Sequence, residues 1–436
     1  MTEMETRPLD GLRVLDFSTT IAGPHCSRLL ADMGADVIKI ESPEGDLMRS
    51  RPVQRDGAGT MFGQLNAGKR SIVLDLKRPE AIAAVKKLVE TVDIVLENYR
   101  PGVMKRLGLD YPELARINPR IIYGAISGYG QTGPGAGRPA YAPVIHASTG
   151  YDMAHAFYQQ GRERPDNCGI FVADYASGAY ALGGILAALH QRHVTGKGQM
   201  VDVSMFETLV GMLLGEVNRA QFDFDMPSRP MYGPVEAKDG YVMLATASER
   251  TFQDMATAAG RRDWLSDPRF EKYADRRMNW GQFVDEFEAW SKTLTVKECV
   301  AALEKHGVPC SPYLTVTDAL KDPQVEHRGS LCTIEDSAGT YKSPAPPFRF
   351  SGSALQSGPK VAARGEDTRS VLAEAGHHAS HQPALHQRPD QPGAGEGEAD
   401  LARREVMPVP HQVALGEQRE AAGEQRERDH VDEELQ

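Results

Sequence analysis

Apolar and polar positions alternate between two periods along the first 130 residues, and the alternation predicts strands separated by helices. Leu12 to Phe17 reads as a buried strand, Gly23-Pro24 opens a helix running to Gly34, and Asp36 to Ile40 reads as the next strand. Further strands fit Ser71 to Leu76, Asp93 to Glu97 and Ile121 to Ile126. Pro79 falls in a first helical turn, where its missing N–H is harmless. Strands alternating with helices predict an α/β fold with a mainly parallel sheet covered on both faces.

A long apolar helix follows at Tyr175 to His190, then a strand at Gln199 to Ser204 and a helix from Phe206. From about Met226 the texture changes. Val235 to Ala245 reads as a hairpin turning at Lys238-Asp239-Gly240, and amphipathic helices run on to about His306. The chain therefore divides into a large domain (1–225), a smaller α+β domain (226–329) and a Pro- and Ser-rich segment (330–375) that returns to the large domain and ends in a helix at Thr368 to Ala375. Residues 376–436 hold six of the thirteen histidines but no Lys, Ile, Phe, Tyr or Trp. So few large apolar groups cannot offset ordering entropy, so this tail is predicted to be disordered, either as a natural polar tail or as an out-of-frame translation.

Apolar and charged fractions of 41% and 25% are those of a globular protein, and a net charge of -11 disfavours a nucleic-acid partner. The polar, acidic N-terminus lacks a signal-peptide pattern. The most apolar run, Tyr180 to Leu189, is half of the roughly 20 residues that a membrane span needs. Five scattered cysteines without a CxxC pair point to reduced thiols and no zinc site. The expectation is a soluble, cytoplasmic protein without a metal; His377, His378 and His381 have no ordered framework to hold one.

Gly128-Tyr-Gly130-Gln-Thr-Gly133 follows a strand and spells a dinucleotide fingerprint, but Pro134 to Pro139 cannot supply the helix that this motif needs. It reads instead as a glycine loop bordering a site. Asp174 opens a helix rich in small residues; it is either a plain N-cap or a carboxylate kept ionised by helix-start amides and ready to attack. His146 and His155 lie in a region read as loop. Ser127 lacks a nucleophile elbow, and Cys168 lacks an evident base. Arg100, Lys105 and Arg106 form either a solvated charged face or a phosphate contact.

Taken in order, Pro8 to Phe17, Ala22-Gly-Pro24, Gly34 to Glu41, Asn66 to Ser71, Asp93 to Gly102, Ser127 to Pro134, Ala173-Asp174, Gly198 to Ser204, Asp267-Pro-Arg-Phe270, Gly307 to Cys310 and Asp322 to Val325 resemble the class III coenzyme A transferases, over roughly residues 8 to 375. The resemblance implies a Rossmann-like large domain, a small domain and an interlocked homodimer. It also implies a CoA-transferase moving coenzyme A from an acyl-CoA to a small carboxylic acid, with no permanently bound cofactor. Asp174 matches the family's catalytic aspartate, and coenzyme A is expected around Ile21, Ala22, Leu74, Asn98, Tyr99, Arg106, Tyr141 and Met205.

Four positions depart from that pattern. Ile21 stands where formyl-CoA transferase carries glutamine, Ala142 where an acidic residue is common, and Met226 to Tyr232 lacks the family's glycine flap. The usual C-terminal helix after Ala375 gives way to the tail. The same fold serves 2-methylacyl-CoA racemases, which pair a histidine with the aspartate. Tyr141 occupies the region of that histidine, while Glu249 resembles a racemase glutamate and His146 is a substitute base only after a loop rearrangement. A third reading is an inactive family member.

Overall fold

Val14, Leu15, Ile38, Ile72, Ile94, Val95 and Leu96 are fully buried. Strands so apolar on both sides need helices on both faces. The computed structural model describes residues 6–159, 164–223, 225, 231–245, 248–355 and 358–376. Its first half runs β1 (Arg13–Asp16), α1 (Ala22–Asp32), β2 (Asp36–Glu41), α2 (Thr60–Asn66), β3 (Arg70–Val73), α3 (Pro79–Val89), β4 (Ile94–Glu97), α4 (Val103–Leu107) and α5 (Tyr111–Ile117). It continues with β5 (Ile122–Ser127), α6 (Ala142–Ser148), α7 (Tyr151–Phe157), α8 (Val172–Thr195), β6 (Gln199–Ser204) and α9 (Met205–Met212). The six strands form one parallel sheet in the order β3-β2-β1-β4-β5-β6. That is the doubly wound order of dinucleotide-binding folds, which reverses direction between β1 and β4.

Each face has its own apolar layer. Cys26 and Leu30 of α1, Ile145 of α6, Ala181 and Ile185 of α8 and Leu209 of α9 cover one side. Val85 and Leu88 of α3 and Leu114 of α5 cover the other, joined by Val371 and Leu372 of a last helix, Thr368–Glu374. The helix α8 sits close to the sheet because its buried stripe (Ala173, Ser177, Gly178, Ala181, Ile185, Ala188) is mostly small. A Cβ at Gly124 of β5 would lie 3.0 Å from Ile185, and one at Gly184 would lie 2.6 Å from Val201.

Residues 234–312 build a separate three-stranded antiparallel sheet from β7 (Pro234–Ala237), β8 (Gly240–Leu244) and β9 (Cys310–Pro312), with a connection at Lys238-Asp239. Phe252, Trp264, Phe283 and Phe287 pack beneath it. The Pro- and Ser-rich segment contains a hairpin that its composition does not reveal, β10 (Leu331–Asp336) with β11 (Gly339–Pro344). Its strands docks on the first half: Arg55 pairs with Asp336 at 2.9 Å, and the Tyr341 hydroxyl donates to the Thr60 carbonyl at 2.9 Å.

Two further expectations change. His146 and His155 belong to α6 and α7, not to loops. The apolar run at Tyr180 to Leu189 is part of a 24-residue helix, the one described helix long and apolar enough to cross a membrane by length and composition. Here it packs on β5 and β6. Residues 377–436 and Met226 to Pro230 lie outside the described residues.

The end of β1 is anchored electrostatically. Asp16 is fully buried and takes the Lys69 ammonium at 3.1 Å, the Ser27 hydroxyl at 2.6 Å and the Ser18 amide at 2.9 Å. Burial alone would raise its carboxyl, but Lys69 and Lys39 outweigh it and hold it at about 2. Lys69 also donates to the Asn66 side chain at 2.8 Å and to the Pro24 carbonyl at 3.0 Å, tying β1, α1 and α2 together. Lys69→Met should therefore strand a buried carboxylate and lower unfolding stability by about 3–5 kcal/mol, read from urea midpoints at pH 7; an unchanged midpoint would dismiss this anchor.

Candidate active site

In open parallel sheets, ligands sit at the carboxyl ends of the strands where the order reverses. The chain has a cleft of about 210 Å³ at that place. Thr19, Thr20 and Ala22 line it from the turn after β1, Asn98 to Pro101 from the turn after β4, and Ser127 and Gly128 from the end of β5. The glycine loop contributes Arg138, Ala140 and Tyr141, α9 contributes Met205, and α8 contributes Asp174. The volume is below the roughly 300–1,000 Å³ that encloses a drug-sized ligand, so it suits the reacting end of a longer molecule.

The turn after β1 is shaped by Asn98, whose Oδ1 accepts from the Thr19 amide and whose Nδ2 donates to the Thr19 carbonyl, both at 2.8 Å. The next residue, Thr20, takes a left-handed φ of 70°. This delivers Ala22 to the start of α1. There α8 comes unusually close: a Cβ at Gly178 would lie 2.6 Å from the Ala22 carbonyl and 3.0 Å from His25.

Asp174 is the third residue of α8, within its first turn, and the cap position belongs to Phe171. The plain N-cap interpretation therefore fails for Asp174. Burial raises its carboxyl to about 6, against the opposing pull of a hydrogen bond from the Ala22 amide. The outcome is a carboxylate ionised at neutral pH yet poorly solvated, a combination suited to nucleophilic attack. Among the described residues lining the cleft it is the only acid.

Two buried groups close in sequence to cleft-lining residues, Glu97 and His25, are held mostly uncharged. Burial pushes Glu97 up to about 8; the Tyr99 amide opposes this and Asp202 adds to it. Burial, with help from Lys69 and Arg28, lowers His25 to about 4. The Ser127 hydroxyl is buried in the cleft wall without a hydrogen-bond partner among the described residues, and so is available to a ligand.

Of the residues singled out for coenzyme A, Ala22, Asn98, Tyr99, Tyr141 and Met205 come together with Asp174. Three do not line the cleft. Ile21 is buried with Met48, Phe62 and Leu65, Leu74 is fully buried under the sheet, and Arg106 is exposed on α4. The cations lining it are Arg100 and Arg138; the sequence reading missed Arg138, although its place in the glycine loop pointed to it. Glu249 is absent from the cleft and is held by Arg276 at 2.7 Å. His146 is fully buried, with its Nε2 accepting from the Ala173 amide at 3.2 Å, so it faces no substrate. The glycine loop leads to no helix before α6, as expected of a loop that is not a dinucleotide fingerprint.

CoA-transferase family III matches residues 9–368. Succinyl-CoA–D-citramalate CoA-transferase from Chloroflexus aurantiacus is 33% identical over 76% of this chain and 84% of its own. Acetyl-CoA:oxalate CoA-transferase from Acetobacter aceti is 34% identical over 79% and 90%. The crystal structure of a CAIB/BAIF family protein from Brucella suis superposes with a TM-score of 0.73 at 33% identity, covering 85% of this chain and 100% of that one.

The raised Asp174 carboxyl has a stability consequence. Its folded value of about 6 exceeds the roughly 3.9 of an unfolded aspartate, so the folded state binds the proton more tightly. Its contribution is most favourable below pH 4 and is lost as pH rises through 6. Asp174→Asn should raise Tm by on the order of 2 °C at pH 8 and less at pH 4.5, measured by scanning calorimetry. A Tm lowered at pH 8 would mean that the ionised carboxylate is well compensated.

Proposed function

Since the chain belongs to CoA-transferase family III, and is a CoA-transferase, we propose that Asp174 carries the transferred group as a covalent aspartyl intermediate. The observation that carries this reading is the lone, desolvated carboxylate in a cleft at the sheet's switch point. Asp174 attacks the carbonyl carbon of an acyl-CoA. The C–S bond breaks, and the CoA thiolate leaves behind a mixed anhydride. The thiolate returns to the aspartyl carbonyl, expels the donor carboxylate and leaves an aspartyl-CoA thioester. An acceptor carboxylate then repeats both exchanges in reverse. Each activated bond is traded for another, so the enzyme must exclude water rather than supply energy.

Coenzyme A enters as a substrate. Ala22, Asn98, Tyr99, Tyr141 and Met205 are proposed to line its reacting end, with the exposed Arg106 further out and the buried Ile21 and Leu74 only backing the site. The named relatives act on dicarboxylic acids, and Arg100 and Arg138 provide two cations at the cleft. We therefore assign a small dicarboxylic acid as acceptor, with one carboxylate reacting and the other held by arginine. A racemase finds less support here, because no histidine lines the cleft among the described residues. The proposal extends to an interlocked cytoplasmic homodimer, with residues 226–329 as a small domain. Met153, Phe157, Ile170, Tyr180 and Leu214 are exposed large apolar side chains, which a second copy would cover.

Asp174→Ala should lose at least about a thousandfold in kcat while staying folded, and hydroxylamine added during turnover should modify Asp174 in the unaltered enzyme. Full activity in the alanine variant would end the nucleophile assignment, and deuterium wash-in at the α-carbon of a branched acyl-CoA would favour the racemase. Because attack requires the ionised carboxylate, kcat/KM should fall as pH drops through about 6. A flat profile from pH 5 to 8 would contradict this.

A further inference from the structure

The first turn of α8 carries amides that no residue of its own helix can satisfy. Its cap residue, Phe171, offers no side-chain acceptor. The Val172 amide reaches the Ile170 carbonyl at 2.9 Å, and the first bond within the helix is that of the Tyr175 amide to the Phe171 carbonyl at 3.1 Å. The Ala173 amide, one residue before Asp174, is taken from a distance: His146 Nε2 accepts it at 3.2 Å.

His146 is well placed to do this permanently. It is fully buried on α6, and its ring lies against that of Tyr151, with centroids 5.1 Å apart. We infer that His146 is a positioning residue for Asp174: as a neutral imidazole protonated on Nδ1, it acts as a remote cap that fixes the first turn of α8 and so the aim of the nucleophile. This rests on the assignment of Asp174 above. Accepting a hydrogen bond at Nε2 requires the proton to sit on Nδ1. Burial favours the neutral ring by holding it below its usual range, although the nearby Asp152 carboxylate pulls the other way. Nδ1 of His146 and Oδ1 of Asp152 are both buried without a hydrogen-bond partner among the described residues, so no other hydrogen bond competes with that of the Ala173 amide in setting the tautomer.

The role differs from that of a base. Nothing is transferred to or from His146, and any residue of similar reach with a neutral acceptor should replace it. His146→Gln keeps such an acceptor, while His146→Leu fills the space without one. The leucine variant should lose about 10- to 100-fold in kcat with KM within threefold, because a nucleophile displaced by a fraction of an ångström misses its near-attack geometry. The glutamine variant should stay within about threefold of the unaltered enzyme. Hydroxylamine labelling of Asp174 should follow kcat in both. A folded leucine variant with normal kcat, or a folded glutamine variant as impaired as the leucine one, would overturn the inference.

Should the leucine variant fail to fold, the unaltered, substrate-free enzyme still decides. Its 15N-histidine long-range correlation spectrum should show an unprotonated Nε2 for residue 146, identified by its loss in His146→Gln. An Nε2-protonated tautomer or an imidazolium at pH 7.5 would overturn the inference. That spectrum does not depend on the role of Asp174. Activity surviving in Asp174→Ala would instead remove the nucleophile assignment and leave the remote cap as a purely structural contact.

Discussion

Two helix starts pressed together hold this site. The first turn of α1 lies against the first two turns of α8 because position 178 has no side chain to keep them apart. The contact brings the Ala22 amide to the Asp174 carboxylate while the packed helices exclude much of the water. Both effects act on one group and oppose each other: desolvation disfavours the charge and the amide favours it. The balance leaves a carboxylate that is ionised at neutral pH but only weakly held, which is what a nucleophile needs.

The contact is supported from beneath. Asp16, at the end of β1, is clasped by Lys69, Ser27 and the Ser18 amide, so the turn carrying Thr19 and Thr20 leaves the sheet in a fixed direction. Asn98 then grips that turn through both atoms of its side-chain amide. A buried ion pair contributes little net stability compared with an apolar pair, yet breaking it is costly. Its value here is placement. The charges that stabilise the scaffold lie below the cleft, and the charges that would meet a ligand, Asp174, Arg100 and Arg138, line it.

Each side of the reaction then has a physical counterpart. The cleft has room for a reacting end rather than a whole ligand, the strand order places it at the switch point, and burial keeps Glu97, the residue before the cleft-lining Asn98, mostly uncharged. An enzyme that trades one activated acyl bond for another needs a dry nucleophile and cations for carboxylates more than it needs a strong base. The neutral histidines fit that division: His25 packs on Tyr175 and His146 on the Ala173 amide, both outside the cleft lining, and neither carries a charge into it.

Much of this was legible in the amino-acid order. The six parallel strands, the helix opening at Gly23-Pro24 and the hairpin at Lys238-Asp239 all follow from local periodicity or turn chemistry. Such signals survive because they depend on residues close along the chain. The tertiary structure alone decided the rest. It turned His146 from a candidate base into a buried acceptor, took Glu249 out of the cleft into a pair with Arg276, placed Arg138 at the cleft and made Gly178 the point where two helices meet. Those outcomes depend on which distant residues share a volume from which water is excluded, and that information exists only once the sheet has ordered its strands.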